Sequence, residues 1–201
     1  TWLQAGDPTD RYFTNISWSP DSKKIFMIEL NRDQNHAVLV QYNALTGEKE
    51  GVLYEEKHPK YVEPMHGLLF LPWDDTKFIY QTRRDGYNQL YLLDLRARQS
   101  GEEVATIIGG TKKEFVKVTS LTSGTWVVKD VLGFNRKEKS VLICTNEIHP
   151  LQSNIYKVSI KDGKRTLLDN GEGVHYGRLS QSGTYLIDTY SSPTVTKNID
   201  L

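Results

Sequence analysis

The chain has 201 residues, 38% of them hydrophobic and 25% charged, in the range of an ordinary globular protein with enough length to bury a core. Its 25 basic and 25 acidic residues cancel, so no global field exists to attract nucleic acid or an anionic membrane. No apolar run approaches the roughly 18 residues that span a bilayer, and the start at Thr1-Trp2-Leu3-Gln4 carries no basic n-region, no apolar h-region and no Met, so the chain reads as an internal portion of a longer protein.

In chain order, short β-branched and aromatic runs alternate with turn formers, which is the all-β pattern. The first unit runs through Asn15 to Trp18, the turn Ser19-Pro20-Asp21-Ser22, Ile25 to Ile28, Ala37 to Tyr42, the turn Thr46-Gly47-Glu48, and Val52 to Tyr54. The second has Leu68 to Phe70, a turn at Leu71 to Asp75, Phe78 to Gln81, the turn Arg83-Arg84-Asp85-Gly86, and Gln89 to Asp94. A longer excursion follows from Arg96 to Lys113, with its own short strand expected at Val104 to Ile108, before Phe115 to Val118 closes the unit. The third has Trp126 to Val128, a polar turn at Asn135 to Lys139, Val141 to Cys144, Ile155 to Ile160 and Arg165 to Leu168. The fourth has His175 to Leu179, the turn Ser180 to Gly183, Tyr185 to Asp188 and Val195 to Leu201, and lacks a last strand.

The turns after the first strands centre near Asp21, Asp74, Lys137 and Ser182, at spacings of 53, 63 and 45 residues. A four-stranded propeller blade takes roughly 40 to 50 residues, and the longest gap holds the excursion at 96–113. The expected fold is therefore an all-β, partial β-propeller of about four four-stranded antiparallel blades, roughly 12–56, 66–121, 124–169 and 173–201, within one domain over 1–201. A β-sandwich would explain the strands but not the ordered return of the same turns.

Catalytic signatures are absent. There is no Gly-x-Ser-x-Gly elbow, no metal-ligand spacing of His or Cys, and no phosphate loop; Gly171-Glu172-Gly173 lacks a strand-to-helix context. No catalytic residue, metal or cofactor is assigned. The histidines His36, His58, His66, His149 and His175 are scattered, and the pairs Glu55-Glu56 and Asp74-Asp75 fall in expected loops that read as solvated turns. Arg83-Arg84 reads first as a hairpin tip in water and second as a rim loop that touches a ligand. Tyr87 and Tyr91 follow strand alternation and are expected to pack between blades. Cys144, the only cysteine, follows Val141-Leu142-Ile143 and is expected as a core thiol.

Three stretches resemble one family: Tyr12 to Pro20 with Leu39 to Gly47; Phe70 to Trp73 with Asp85 to Tyr91; and Leu121-Thr122-Ser123-Gly124-Thr125-Trp126-Val127-Val128 with Ser153 to Val158. Their order and spacing resemble the later propeller blades of dipeptidyl peptidase IV and its bacterial relatives. The resemblance implies a propeller set on an α/β-hydrolase domain whose Ser-Asp-His triad releases N-terminal dipeptides, with Pro or Ala preferred second. Neither that triad nor the family's amine-binding Glu pair has a counterpart in this chain. The implied role is a wall that limits access to the active-site cavity, with a peptide as substrate and the hydrolase domain as partner.

By the same resemblance, Tyr61 to His66 matches a stretch that lines an extended substrate subsite in the animal enzymes through an Arg-Phe-Arg run, which is absent here. Glu63 and His66, together with Arg83 and Arg84, are the substrate-binding candidates. The animal members' disulfide cysteines are also missing, which points to a bacterial member exported to the periplasm or beyond the cell. Open blade edges and apolar blade faces predict self-association, including a homodimer. The Asn15-Ile16-Ser17 sequon is discounted because Asn15 begins a strand. The competing reading is a TolB-like propeller that binds peptide or protein without peptidase activity, suggested by Ser19-Pro20-Asp21.

Overall fold

The computed structural model describes residues 1–105 and 109–201. Among the described residues there is no helix, and the strands form four antiparallel sheets, open rather than closed on themselves, as in a partial all-β propeller. The chain divides into two compact units, residues 1–86 with 91–119 and residues 87–90 with 120–201.

In the first unit the strands are β1 (Arg11–Trp18), β2 (Lys24–Asn31), β3 (His36–Asn43), β4 (Lys49–Lys57), β5 (Leu69–Leu71), β6 (Asp74–Thr82), β7 (Gln89–Arg98), β8 (Glu103–Ala105), β9 (Thr111–Glu114) and β10 (Val116–Ser120). One sheet has the order β1-β2-β3-β4-β9-β8 and the next β10-β7-β6-β5. The excursion at 96–113 thus returns to extend the first sheet, with Tyr54 opposite Glu114 and Lys57 opposite Thr111. Of the strand expected at Val104 to Ile108, Val104 and Ala105 belong to β8, and residues 106–108 lie outside the described residues. The turn expected at Leu71 to Asp75 is shorter. β6 already begins at Asp74, whose Oδ1 accepts hydrogen bonds from the amide (3.2 Å) and hydroxyl (2.6 Å) of Thr76.

Side chains on a strand alternate between faces, and β2 uses both. Phe26, Ile28 and Leu30 face a core shared with Leu53, Tyr54, Phe78, Tyr80, Tyr91, Leu93 and Val116. Ile25 and Met27 pack with Val40 and Tyr42 on the other face. Phe26, Phe70 and Phe78 form a trio of tilted rings with centroids 5.2 to 5.9 Å apart, the offset geometry that aromatic quadrupoles favour. Full burial of each such side chain contributes about 1.5 to 3 kcal/mol. Tyr91 is buried in this core as the alternation requires, but Tyr87 lies in the turn before β7 and is exposed, a departure from its expected packing.

In the second unit β11 (Val128–Asn135), β12 (Ser140–Thr145), β13 (Asn154–Ser159) and β14 (Arg165–Leu167) form one sheet in sequence order, and β15 (Val174–Leu179), β16 (Leu186–Ser192) and β17 (Val195–Asp200) another. Every residue of β12 is buried, Cys144 included. The two sheets meet at Gly177, where a Cβ would stand 2.5 Å from Leu132 Cδ1 and 2.9 Å from Ile155 Cδ1. The Leu121 to Val128 string holds residues 87–90. Leu90 N donates to Thr122 Oγ1 and Leu121 N to Leu90 O, both at 2.9 Å, and Gln89 Nε2 donates to Trp126 O at 2.6 Å. His175 is buried, with Nδ1 2.6 Å from Asp188 Oδ2, Nε2 2.8 Å from Glu172 O, and its ring stacked on Tyr190.

Candidate substrate-facing strap

Between β4 and β5 the chain crosses the first unit as an extended strap, Tyr61 to Gly67. Pro64 has no amide hydrogen and disfavours helix before it, so this segment cannot join a ladder throughout. It is fixed instead at separate points. Val62 is buried in the core and its amide donates to Gln34 O at 2.7 Å. The Asn15 side-chain amide donates to Pro64 O and His66 O, each at 2.9 Å. Leu68 N donates to Ser17 Oγ at 3.1 Å.

These anchors leave Tyr61, Glu63 and Met65 exposed. Glu63 Oε2 lies 3.2 Å from Arg83 Nη1, and both side chains are 47% exposed, so the pair sits in water and contributes little to stability. Its charges remain open to a ligand. Two hollows share Tyr61, Val62 and Glu63 as a common wall. One, of about 370 Å³, adds Glu56, Lys60 and Arg83; the other, of about 600 Å³, adds Tyr12, Leu30 and Pro64. Among the four residues singled out from sequence, the structure therefore brings Glu63 and Arg83 into contact and places His66 on the same strap.

Arg84 is placed differently. It is not at a hairpin tip in water: its side chain is 6% exposed. Its guanidinium donates from Nη2 to Glu114 Oε1 and lies 4.6 Å from the Tyr91 ring centre and 5.3 Å from that of Tyr54. Burial works against this charge, yet Tyr54 and Glu114 hold its proton more firmly than usual. Asp85 accepts from Lys112 Nζ at 2.9 Å and Tyr91 OH at 2.8 Å. Burial alone would raise its carboxyl; those two hydrogen bonds instead keep it below the usual range.

Glu56, expected as part of a solvated turn, is the other correction. It lies in β4 and is buried, with Oε2 accepting from Tyr54 OH at 3.1 Å and Thr82 Oγ1 at 2.9 Å. Burial raises its carboxyl above the ordinary value, more than Thr82, Tyr54 and Arg84 lower it. Glu56, which shares the smaller hollow with the strap, and Arg84 are the buried members of an ionic cluster completed by the partly exposed Asp85, Lys112 and Glu114. One signal could have found that cluster. Tyr54 and Glu56 share a strand face, as alternation demands, and Tyr54 ends the short apolar run Val52-Leu53-Tyr54.

Among the described residues no group of three or more His, Cys, Asp or Glu side chains could hold a metal ion, and no helix is long and apolar enough to cross a membrane. The arrangement can bind and exclude: two open hollows, one accessible acid, one accessible guanidinium and an aromatic wall.

Residues 1–197 match the family model described as the dipeptidyl peptidase IV (DPP IV) N-terminal region. A crystal structure from Bacteroides ovatus, of a protein assigned as a dipeptidyl aminopeptidase IV, is 51% identical with a TM-score of 0.89, over 98% of this chain and 28% of its own. Dipeptidyl peptidase 4 of Porphyromonas gingivalis is similar in fold, at 21% identity and a TM-score of 0.74, over 98% of this chain and 25% of its own. The chain therefore spans about a quarter of the length of either structure.

Proposed function

The chain belongs to the dipeptidyl peptidase IV N-terminal-region family, and from that premise we propose that it is the non-catalytic propeller wall of a larger serine dipeptidyl peptidase. It borders the active-site cavity, admits slender peptide ends and excludes folded chains. The reaction itself, release of an N-terminal dipeptide, belongs to the partner α/β-hydrolase domain of the same protein. The observation that carries this reading is the strap: its exposed Glu63 borders two open hollows, on a segment fixed at four backbone points, and pairs at 3.2 Å with the exposed Arg83 of the turn after β6.

A peptide laid along the strap meets a carboxylate, a guanidinium and the Tyr61 ring. Glu63 suits an amide or cationic group, and Arg83 a carbonyl or carboxylate. His66 lies further along the same wall. Arg84, buried beside Arg83, holds Glu114 through its guanidinium and supports the turn from within. Holding the non-reacting part of a substrate lowers KM and so raises kcat/KM, which is how a wall without catalytic groups contributes to turnover at low substrate. Both similar structures come from bacteria of the Bacteroides and Porphyromonas genera, and we place the complete protein in the periplasm or outside the cell.

The test uses the complete natural protein. It is expected to release dipeptide from a chromogenic Gly-Pro substrate, while the 201-residue chain alone releases none. In the complete protein, Glu63→Ala with Arg83→Ala should raise KM for a peptide extended beyond the dipeptide by about three- to tenfold, with kcat within about twofold. No dipeptide release by the complete protein would overturn the peptidase reading; an unchanged KM would remove the strap from the substrate path.

A further inference from the structure

Asn15 occupies a position that uses both the backbone tolerance and the donor chemistry of asparagine. β1 carries a β-bulge between Thr14, opposite Ile28, and Ser17, opposite Phe26. Within it Asn15 has φ of 55°, the left-handed region that asparagine tolerates better than most residues with a Cβ. The bulge turns its side chain out of the strand's alternation and toward the strap. A primary amide has two hydrogens, and both are used: one bond goes to Pro64 O and one to His66 O, each at 2.9 Å. Thr14 Oγ1 donates to Asn15 Oδ1 at 3.0 Å, which fixes which end of the amide is which. Two residues further on, Ser17 Oγ receives the Leu68 amide. The strap is therefore pinned to β1 on both sides of Met65, immediately after Glu63.

We infer that Asn15 is a positioning residue for substrate: by bracketing the carbonyls of Pro64 and His66 it sets where Glu63 and His66 stand on the cavity wall. This rests on the reading of the strap as substrate wall. Asn15 touches no reacting atom and acts through the strap backbone. Aspartate has the same shape and the same tolerance of positive φ, but its ionised carboxylate donates nothing and would face two carbonyl oxygens. Glycine keeps the backbone and removes the pin. The sequon at Asn15 is thus structural, since both amide hydrogens are committed.

The test compares Asn15→Asp, Asn15→Gly and Glu63→Gln in the complete protein, against an extended Xaa-Pro peptide, with amide hydrogen exchange over residues 61–68. The expected result is a KM raised about three- to tenfold in both Asn15 variants and in Glu63→Gln, with kcat kept, since two hydrogen bonds are lost at the pin. Exchange at Val62 and Leu68 should quicken in the Asn15 variants while β12 and β13 stay unchanged. If Glu63→Gln raises KM and neither Asn15 variant does, the positioning inference fails and the wall reading stands. If none of the three changes KM, the wall reading fails and takes the inference with it. A fall in thermal stability with KM and exchange unchanged would make Asn15 a folding residue and overturn the inference.

Discussion

The Thr82 hydroxyl donates to Glu56 Oε2 at 2.9 Å, joining the end of β6 to the end of β4 across two neighbouring sheets. The same oxygen receives Tyr54 OH at 3.1 Å, so one buried carboxylate organises the wall of the smaller hollow.

That carboxylate predicts a pH effect. Burial, the largest influence on Glu56, raises its carboxyl above the ordinary value of 4.5 in the folded protein. The folded state therefore holds the proton more tightly than the unfolded chain does. The stabilisation this gives is full below the unfolded value and is lost as pH rises through the window up to the raised folded value. Glu56→Gln keeps an acceptor for Thr82 and Tyr54 but cannot ionise. Urea unfolding of wild type and Glu56→Gln from about pH 4 to about pH 8 should show the variant gaining relative stability as pH rises. Parallel curves across that range would refute the assignment.

Arg84 should be far more sensitive than its neighbour Arg83. Its flat guanidinium lies against both Tyr54 and Tyr91 and pairs with Glu114, whereas Arg83 pairs with Glu63 in water. Arg84→Met leaves the partly exposed Glu114 and Asp85 without this cation, removes the ring contacts to Tyr54 and Tyr91, and should cost about 2 to 3 kcal/mol. Arg84→Lys should recover only part, because a compact ammonium cannot stack on rings. Arg83→Met should stay within about 0.5 kcal/mol. Denaturant midpoints for the three variants decide this, and equal losses at 83 and 84 would contradict it.

The contrast between these two arginines shows what sequence could reveal. Turn chemistry is local, so the sheets were legible from it. Ser19 Oγ bonds Asp21 Oδ1 at 2.6 Å within the expected first turn, and Gly47 stands at φ 79° in the turn before β4. Tyr91 and Cys144 were legible from alternation and from an apolar run. Partners distant in sequence were not. Glu56 meets Thr82 across 26 residues and Arg84 meets Glu114 across 30, and nothing near either residue announces its partner. The same limit hid the return of β9 to β4 and the pin from Asn15 to His66, 51 residues away. On the strap itself, Glu63 and Arg83 were chosen separately from sequence, and only the fold puts them 3.2 Å apart.

His175 carries one of the second unit's buried polar contacts. A backbone carbonyl only accepts, so the Nε2 facing Glu172 O at 2.8 Å bears a hydrogen. Nδ1 meets Asp188 Oδ2 at 2.6 Å, and Asp169 Oδ2 lies 3.9 Å away. His175→Leu strands Asp188 among buried groups and should cost about 2 to 4 kcal/mol. Adding Asp188→Asn should cost less than on wild type, because the lost contact is counted once. A double-mutant cycle reads the coupling, and strict additivity would show that the two side chains are independent.

Cys144 gives a probe of the second unit's opening. Burial, the largest influence, pushes its thiol up to about 11, with nearby Asp130, Asp169 and Asp188 adding to the rise against a backbone hydrogen bond from Gly177. Near pH 8 about one thiol in a thousand would be ionised even if reagent could reach it, and only the thiolate attacks. The residue also sits mid-sheet in β12, opposite Asp130 on one side and Ile155 on the other, so reagent reaches it only when those strands part. Labelling with a water-soluble disulfide reagent should therefore be negligible over an hour in native buffer and complete within minutes in denaturant. Its rate should climb with urea in step with unfolding of β11 to β13. Rapid labelling without denaturant would mean that this sheet opens readily, and that Cys144 is not held in the packed interior that its neighbours Val141, Leu142 and Ile143 define.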